Sequence, residues 1–113
     1  MIVDDHATFR ASARLLLESE GFEVVGEAAD GESAIEKTAV LAPEVILLDV
    51  QLPGLDGFEV ASRVTEREGG PAVILVSSRD GVDFGPLILA CGARGFVAKA
   101  DLSGERLRSL LGC

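Results

Sequence analysis

The sequence predicts an α/β fold in which five parallel strands form a doubly wound sheet with helices on both faces. Short apolar runs of strand length alternate along the chain with segments whose apolar residues have helical spacing. Several of these runs are apolar at consecutive positions, which is typical of parallel strands that are buried on both faces. Right-handed crossover connections then place the intervening helices on the two sides of the sheet.

The first three predicted elements are a strand, a helix and a strand. Residues 1–3 are apolar but few, so the first strand is short compared with the usual five or so residues. Helical spacing follows over 8–20 and ends at Gly21, the residue type most common just after a helix. Residues 22–25 are strand-like.

The central part of the chain continues the alternation. A helix is predicted over 31–41 because apolar residues recur on a common side, and Pro43 stops it. Residues 45–48 are a continuous apolar run, which predicts a fully buried strand. The segment 51–57 is rich in turn residues and leads to a helix predicted over 58–67.

The last part of the chain supplies two further strands. Residues 72–76 form another continuous apolar run, and the segment 77–81 opens the following loop. A short helix is predicted to begin at Pro86, because proline is tolerated at the first helical position. We expect the Gly85-Pro86 segment to be poorly ordered or shifted. Residues 96–98 form a short strand, and 103–111 predict a closing helix.

Length and composition indicate a single soluble domain over residues 1–113. The chain is shorter than about 150 residues, the usual length of one domain. Hydrophobic residues make up 48% and charged residues 26%, as in globular proteins. No apolar run is long enough to span a bilayer, and no secretory signal begins at Met1. We therefore expect a cytoplasmic location and no membrane contact.

Charge and cysteine usage exclude several kinds of site. Nineteen acidic residues against ten basic ones give a net charge of −9. Nucleic acids attract proteins through Lys and Arg, so we expect no direct nucleic-acid binding by this chain. Cys91 and Cys113 lack the spacing of a zinc site or a disulfide framework, and Cys91 is expected to be a buried apolar residue.

Polar residues collect where predicted strands end. They are Asp4, Asp5, Asp49, Ser77 and Lys99. The carboxyl ends of parallel strands share one edge of the sheet, and ligands bind there. Clustered carboxylates repel one another, and a hard cation with oxygen ligands, such as Mg²⁺, would relieve that repulsion. With the metal and an ammonium group in place, such a pocket could hold a phosphoryl group against a carboxylate nucleophile.

Each of these side chains alone also has an ordinary structural explanation. Asp4 or Asp5 could be a helix N-cap, Asp49 a turn former, Ser77 a helix cap, and Lys99 a solvated loop residue. Their coincidence at matching strand ends favours a site. His6 is interpreted as an exposed or partly packed side chain without a role in the chemistry.

Four segments in this order and spacing resemble the receiver domains of two-component response regulators, over nearly the whole chain. They are Ile-Val-Asp-Asp-His at 2–6, residues 45–49 followed by Pro53 and Gly57, Val-Ser-Ser at 76–78, and Gly-Phe-Val-Ala-Lys at 95–99. The Asp-Asp-His opening and residues 90–96 look most like receivers joined to helix-turn-helix transcription regulators. The resemblance implies a flavodoxin-like strand order, 2-1-3-4-5.

The resemblance also implies a phosphoacceptor site. Asp49 matches the aspartate that accepts a phosphoryl group from a sensor histidine kinase in a Mg²⁺-dependent reaction. Asp5 and Asp49 match the carboxylates that coordinate Mg²⁺, together with the backbone carbonyl of Gln51. Asp4 matches an acid that acts largely through metal-bound water.

Three further residues match the family's switch. Ser77 matches the hydroxyl that moves to the phosphoryl oxygen, and Lys99 matches the lysine that pairs with it. Phe96 matches the aromatic residue whose rotamer follows that movement. Phosphorylation would thus shift a population between two states and control transcription through an effector domain that these residues do not contain. The chain itself is not expected to be an enzyme.

The sequence departs from the family's pattern after the last strand and before the first. Many members have Lys-Pro with a cis bond where this chain has Lys99-Ala100, so we expect a rearranged trans loop or local strain. The short first strand suggests that a few family-typical residues are missing before Met1, and ladder groups beside it would be left unpaired or wet. The chain could be a stand-alone receiver or one cut from a longer regulator.

Other functions remain open at this point. The main alternative is a receiver-like interaction module that works without phosphorylation. A phosphatase with an aspartyl-phosphate intermediate would usually place an acid two residues after the nucleophile, where this chain has Gln51. A P-loop enzyme is excluded, since the chain has no GxxxxGK[ST] pattern. A stripe at Leu107, Leu110 and Leu111 belongs either to the core or to a homodimer contact.

Overall fold

The structure, a computed structural model, describes residues 1–66, 69–78 and 84–112. Its elements in chain order are β1 (Ile2–Val3), α1 (Ala7–Ser19), β2 (Glu27–Ala28), α2 (Gly31–Leu41), β3 (Val45–Asp49), α3 (Gly57–Thr65), β4 (Ala72–Ser77), α4 (Gly85–Ala90), β5 (Gly95–Ala98) and α5 (Gly104–Leu111). The expectations for positions 67, 79–81 and 113 fall outside the described residues.

The five strands form one parallel sheet in the order β2-β1-β3-β4-β5. This arrangement confirms the predicted doubly wound fold and its strand order. Side chains of successive residues point to opposite faces, so the strands contribute to two separate cores. In β3, for example, Ile46 and Leu48 belong to one core and Leu47 to the other.

Helices cover both faces, as predicted. α2 and α3 pack on one face through residues such as Ala34 and Val60, and α4 adds Ile88 at its margin. α1 and α5 cover the other face through Ala13 and Leu107. Leu107 is therefore a core residue, which confirms the core interpretation of that position. Among the described residues, no helix has the length and apolar character needed to cross a membrane.

The second strand lies further along the chain than predicted. It spans Glu27–Ala28 rather than 22–25, so that prediction was wrong. The register pairs Ile2 with Glu27, and residues 22–25 therefore lie beside no residue of β1. Phe22 and Val24 are apolar because they pack against the core beneath α1 and α5, not because they belong to the ladder.

The start of β1 is hydrogen-bonded rather than unpaired. The terminal ammonium group of Met1 donates to the carbonyl of Val45 at 2.9 Å, and Leu47 donates to the carbonyl of Met1. Burial, reinforced by the charge of Arg14, lowers the pKa of this amino group. The expectation of open ladder groups was wrong at this position, because both the nitrogen and the carbonyl of Met1 bond to β3.

Local signals set the remaining ends of the helices. Asp30, Asp56 and Ser103 cap α2, α3 and α5 by accepting hydrogen bonds from backbone N–H groups three residues later. α4 is short and has Pro86 in its first turn, as predicted. Cys91 follows α4 and is buried, also as predicted.

The loop after β5 is the rearranged trans alternative. All peptide bonds of the described residues are trans, and Lys99–Asp101 forms a single 3₁₀ turn. The turn begins with Lys99, which therefore lies directly after β5 at the carboxyl edge of the sheet.

Candidate functional site

The carboxyl ends of four strands bring the predicted polar residues to one edge of the sheet. Asp4 directly follows β1, Asp49 ends β3, Ser77 ends β4 and Lys99 follows β5. Strands β1, β3, β4 and β5 are neighbours in that order, so residues far apart in sequence become adjacent. The edge is thus formed by the fold rather than by a single loop.

Four metal-ligating side chains converge here. Asp4, Asp5, His6 and Asp49 each offer one ligand atom, and these atoms all lie within 4.8 Å of one another. Asp4 and Asp49 are buried, whereas Asp5 and His6 are exposed. Two buried carboxylates this close repel each other unless a cation or a proton balances them.

Lys99 supplies part of that balance. Its Nζ lies 2.6 Å from Oδ2 of Asp4 and 3.5 Å from Oδ2 of Asp49. The same ammonium group lies over the ring of Phe9, 4.4 Å from its centroid. Only 18% of the Lys99 side chain is exposed, so the interpretation of Lys99 as a solvated loop residue was wrong.

The single positive charge of Lys99 does not balance the negative charges of both Asp4 and Asp49. Oδ2 of Asp4 is buried and has an ionic partner in Lys99, yet it accepts no hydrogen bond within the described part of the chain. A second cation bound by the acids would compensate the remaining negative charge. Oxygen donors in this number suit Mg²⁺, which is usually held by one or two carboxylates and water. The residues present therefore fit a magnesium ion.

Burial raises the pKa of Asp49 above its ordinary value, and the neighbouring charge of Asp4 acts in the same direction. The backbone N–H of Gln51, which donates to Oδ1 of Asp49 at 3.2 Å, opposes this effect. The ammonium group of Lys99 also lowers the pKa of Asp49. In the absence of a metal ion, the ionised form of Asp49 therefore lowers the free energy of unfolding.

This cost predicts that Asp49→Asn stabilises the metal-free protein. Because the folded-state pKa is raised, the stability contributed by Asp49 is present at low pH and is lost as pH rises through that pKa. Near neutral pH we expect Asp49→Asn to add about 1 kcal/mol, or about 4 °C in melting temperature. Thermal unfolding followed by circular dichroism, with a chelator present, measures this difference.

The gain should shrink as pH falls into the ordinary carboxyl range. Asp101→Asn is the matched control, since Asp101 is exposed on the neighbouring turn. A melting temperature of Asp49→Asn at or below that of the wild type near neutral pH would contradict the interpretation.

A charged network supports the loop that carries the acids. Arg10 donates to the backbone carbonyl of Asp4 at 2.6 Å and to the carboxylate of Glu27 at 3.1 Å. Arg14 donates to the other oxygen of Glu27 at 2.7 Å, and this hydrogen bond is the main cause that lowers the pKa of Glu27. The sequence interpretation missed these residues, because nothing in their spacing shows that α1 lies beside β2.

Ser77 and Phe96 lie on the same face of neighbouring strands. The register pairs Ser77 with Ala98 and Leu75 with Phe96, so the two side chains are two residues apart along the ladder. Ser77 is buried, and Phe96 packs against Phe84 with ring centroids 6.0 Å apart. Ser77 does not cap α4, because α4 starts at Gly85 with Phe84 at the N-cap position.

His6 lies within the cluster although the sequence interpretation left it out. It occupies the N-cap position of α1 without a side-chain capping bond, and its backbone N–H donates to Oδ1 of Asp4 at 2.8 Å. Neither Asp4 nor Asp5 occupies that N-cap position. Capping therefore does not explain these two acids.

Comparison with known proteins identifies the family. The model of the response regulator receiver domain matches residues 1–111. The chain belongs to this family. The signal receiver domain of NarL from Mycobacterium tuberculosis has a solved structure with a TM-score of 0.85 and 38% identity, covering 99% of this chain and 91% of that one.

Two curated relatives show how this receiver occurs in longer proteins. The DNA-binding transcriptional activator EvgA from Escherichia coli K12 is 32% identical over 89% of this chain and 50% of its own length. A protein-glutamate methylesterase/protein-glutamine glutaminase from Myxococcus xanthus is 42% identical over 99% of this chain and 33% of its own. The receiver thus spans half or less of these two relatives. Membership of this family disfavours the alternative of an interaction module without phosphorylation.

Proposed function

We propose that this receiver domain accepts one phosphoryl group on Asp49 from a sensor histidine kinase in a Mg²⁺-dependent reaction. The observation that carries the proposal is the convergence of Asp4, Asp5 and Lys99 on a buried Asp49. Phosphoryl transfer needs positioning and charge stabilisation more than covalent chemistry by the protein, and this pocket is built from charged groups.

The acids and the lysine would have different roles. Mg²⁺ would be held by Asp5, Asp49 and the backbone carbonyl of Gln51, and Asp4 would act on it largely through water. The bound ion would supply positive charge to the phosphoryl oxygens. A carboxylate oxygen of Asp49 attacks the phosphorus of the donor phosphohistidine, and the histidine nitrogen leaves. Lys99, already 3.5 Å from Asp49, neutralises negative charge on the transferred group.

Phosphorylation would change the positions of Ser77 and Phe96. Ser77 would move to contact a phosphoryl oxygen, and the ring of Phe96 would follow it, because both side chains lie on one face of β4 and β5. The new contacts favour one of two states and so change the binding of partners. Partners would include the kinase and a second copy of the chain in a homodimer, and the output would be transcription control by an effector domain in the cytoplasm. The receiver turns over no substrate of its own.

Acetyl phosphate tests this function directly. The full chain is incubated with Mg²⁺ and acetyl phosphate, and its intact mass is measured. We expect one added phosphoryl group on the wild type and on the control Asp101→Asn, and none on Asp49→Asn or after chelation of the metal. An unmodified wild type, or equal modification of Asp49→Asn, would overturn the proposal.

A further inference from the structure

The imidazole of His6 is a polar group of the pocket that the proposed function does not use. Its Nδ1 lies 3.1 Å from Oδ1 of Asp4 and 3.1 Å from Oδ1 of Asp5. The backbone N–H of His6 also bonds to Asp4, which fixes the residue against the acids, while 69% of its side chain remains exposed. A nitrogen donor thus stands at the solvent side of a cluster otherwise made of carboxylates.

These spacings match those of ligands around one octahedral ion. Adjacent ligands of an ion with bonds of about 2.1 Å are about 3.0 Å apart, close to the separation of Nδ1 from each carboxylate oxygen. One further observation favours a cation at this place. The ligand atom of Asp49, a buried carboxylate, lies within the same 4.8 Å cluster.

We propose that His6 Nδ1 is a metal ligand, so that the pocket binds a divalent transition-metal ion that accepts imidazole, of the Co²⁺, Ni²⁺ and Zn²⁺ class, more tightly than Mg²⁺. Imidazole suits these ions, whereas Mg²⁺ prefers oxygen ligands and retains water. The inference rests on the proposed function, because it concerns the metal of the same pocket.

The single histidine of the chain makes the test specific. Zn²⁺ and, separately, Mg²⁺ are titrated into the wild-type chain and into His6→Asn by calorimetry, above the ordinary titration range of histidine. We expect His6→Asn to weaken Zn²⁺ binding by about ten-fold or more and to leave Mg²⁺ binding within about two-fold. Asparagine is a favoured N-cap residue, so the variant should fold.

Nuclear magnetic resonance of the imidazole nitrogens gives a second readout. Zn²⁺ should shift the Nδ1 resonance of the wild type and leave Nε2 less affected, and Asp49→Asn should weaken this response. An unshifted Nδ1, or equal losses of Zn²⁺ and Mg²⁺ affinity in His6→Asn, would overturn the inference and leave His6 as an ionic partner of the acids. The titrations involve no phosphodonor, so the two proposals can be contradicted separately. His6 can prove not to bind Zn²⁺ while the wild type is still phosphorylated with Mg²⁺, and His6 can bind Zn²⁺ in a protein that is not phosphorylated.

Discussion

Replacement of Lys99 by methionine is expected to slow Mg²⁺-dependent phosphorylation of Asp49 by about 100-fold or more. Its ammonium group lies 2.6 Å from Asp4 and 3.5 Å from Asp49, two carboxylates that are both buried. Removal of one preorganised charge-stabilising donor from such a site costs about 10²–10³ in rate. Methionine keeps a similar length and an apolar stem without the ammonium group, so the loss reports the charge.

The chain offers a matched control, because Lys37 is its only other lysine. Lys37 is exposed on α2 and donates to the carbonyl of Glu27, away from the acids. Initial rates of phosphoryl incorporation from acetyl phosphate should be unchanged in Lys37→Met. A rate for Lys99→Met within a few-fold of the wild type would show that Lys99 is not the charge that stabilises the transferred group.

Replacement of Gly57 by alanine is expected to destabilise the fold by about 3 kcal/mol, at the upper end of the usual cost of overpacking. A Cβ at Gly57 would overlap the carbonyl oxygen of Asp49 and would lie 2.6 Å from Cα of Val50. Both are backbone atoms, which cannot rotate away as a side chain could. The N–H of Gly57 also donates to Val50 at 2.9 Å, so α3 cannot withdraw without losing that bond.

Urea unfolding measures this cost, and Gly85→Ala provides the comparison. Gly85 begins α4, and outside its own helix and chain neighbours no atom of the described residues lies within 4 Å of an added Cβ, so alanine there should be neutral or slightly stabilising. If Gly57→Ala unfolds at the same urea concentration as the wild type, the close approach of α3 to the end of β3 is incorrect. Phosphorylation should fall together with stability in Gly57→Ala, because the displaced backbone carries Asp49.

Much of the fold could be predicted from the sequence where a local signal coincides with the tertiary role. Consecutive apolar residues at 45–48 and 72–76 are typical of strands buried on both faces, and they mark β3 and β4. The carboxyl edge followed from the same pattern, because Asp49 ends one such strand. Family resemblance then supplied the strand order, which periodicity alone does not determine.

Features that depend on register or on cross-element contacts could not be predicted in this way. The sequence prediction placed β2 at 22–25 because this segment has the pattern of a strand. Its apolar side chains instead pack against the core, and the strand follows at Glu27–Ala28. His6 was left out because one histidine beside two acids has no spacing signal of its own. Its orientation depends on how β1 leads into α1, which only the three-dimensional structure shows.

A crystal structure of the full chain grown with Mg²⁺ and beryllofluoride, a phosphoryl analogue, tests the central claim most directly. We predict one Mg²⁺ bonded by both Asp5 and Asp49, the analogue attached to Asp49, and Lys99 in contact with the analogue. Carboxylates of Asp5 and Asp49 too far apart to share an ion, or an analogue attached to another residue, would contradict it.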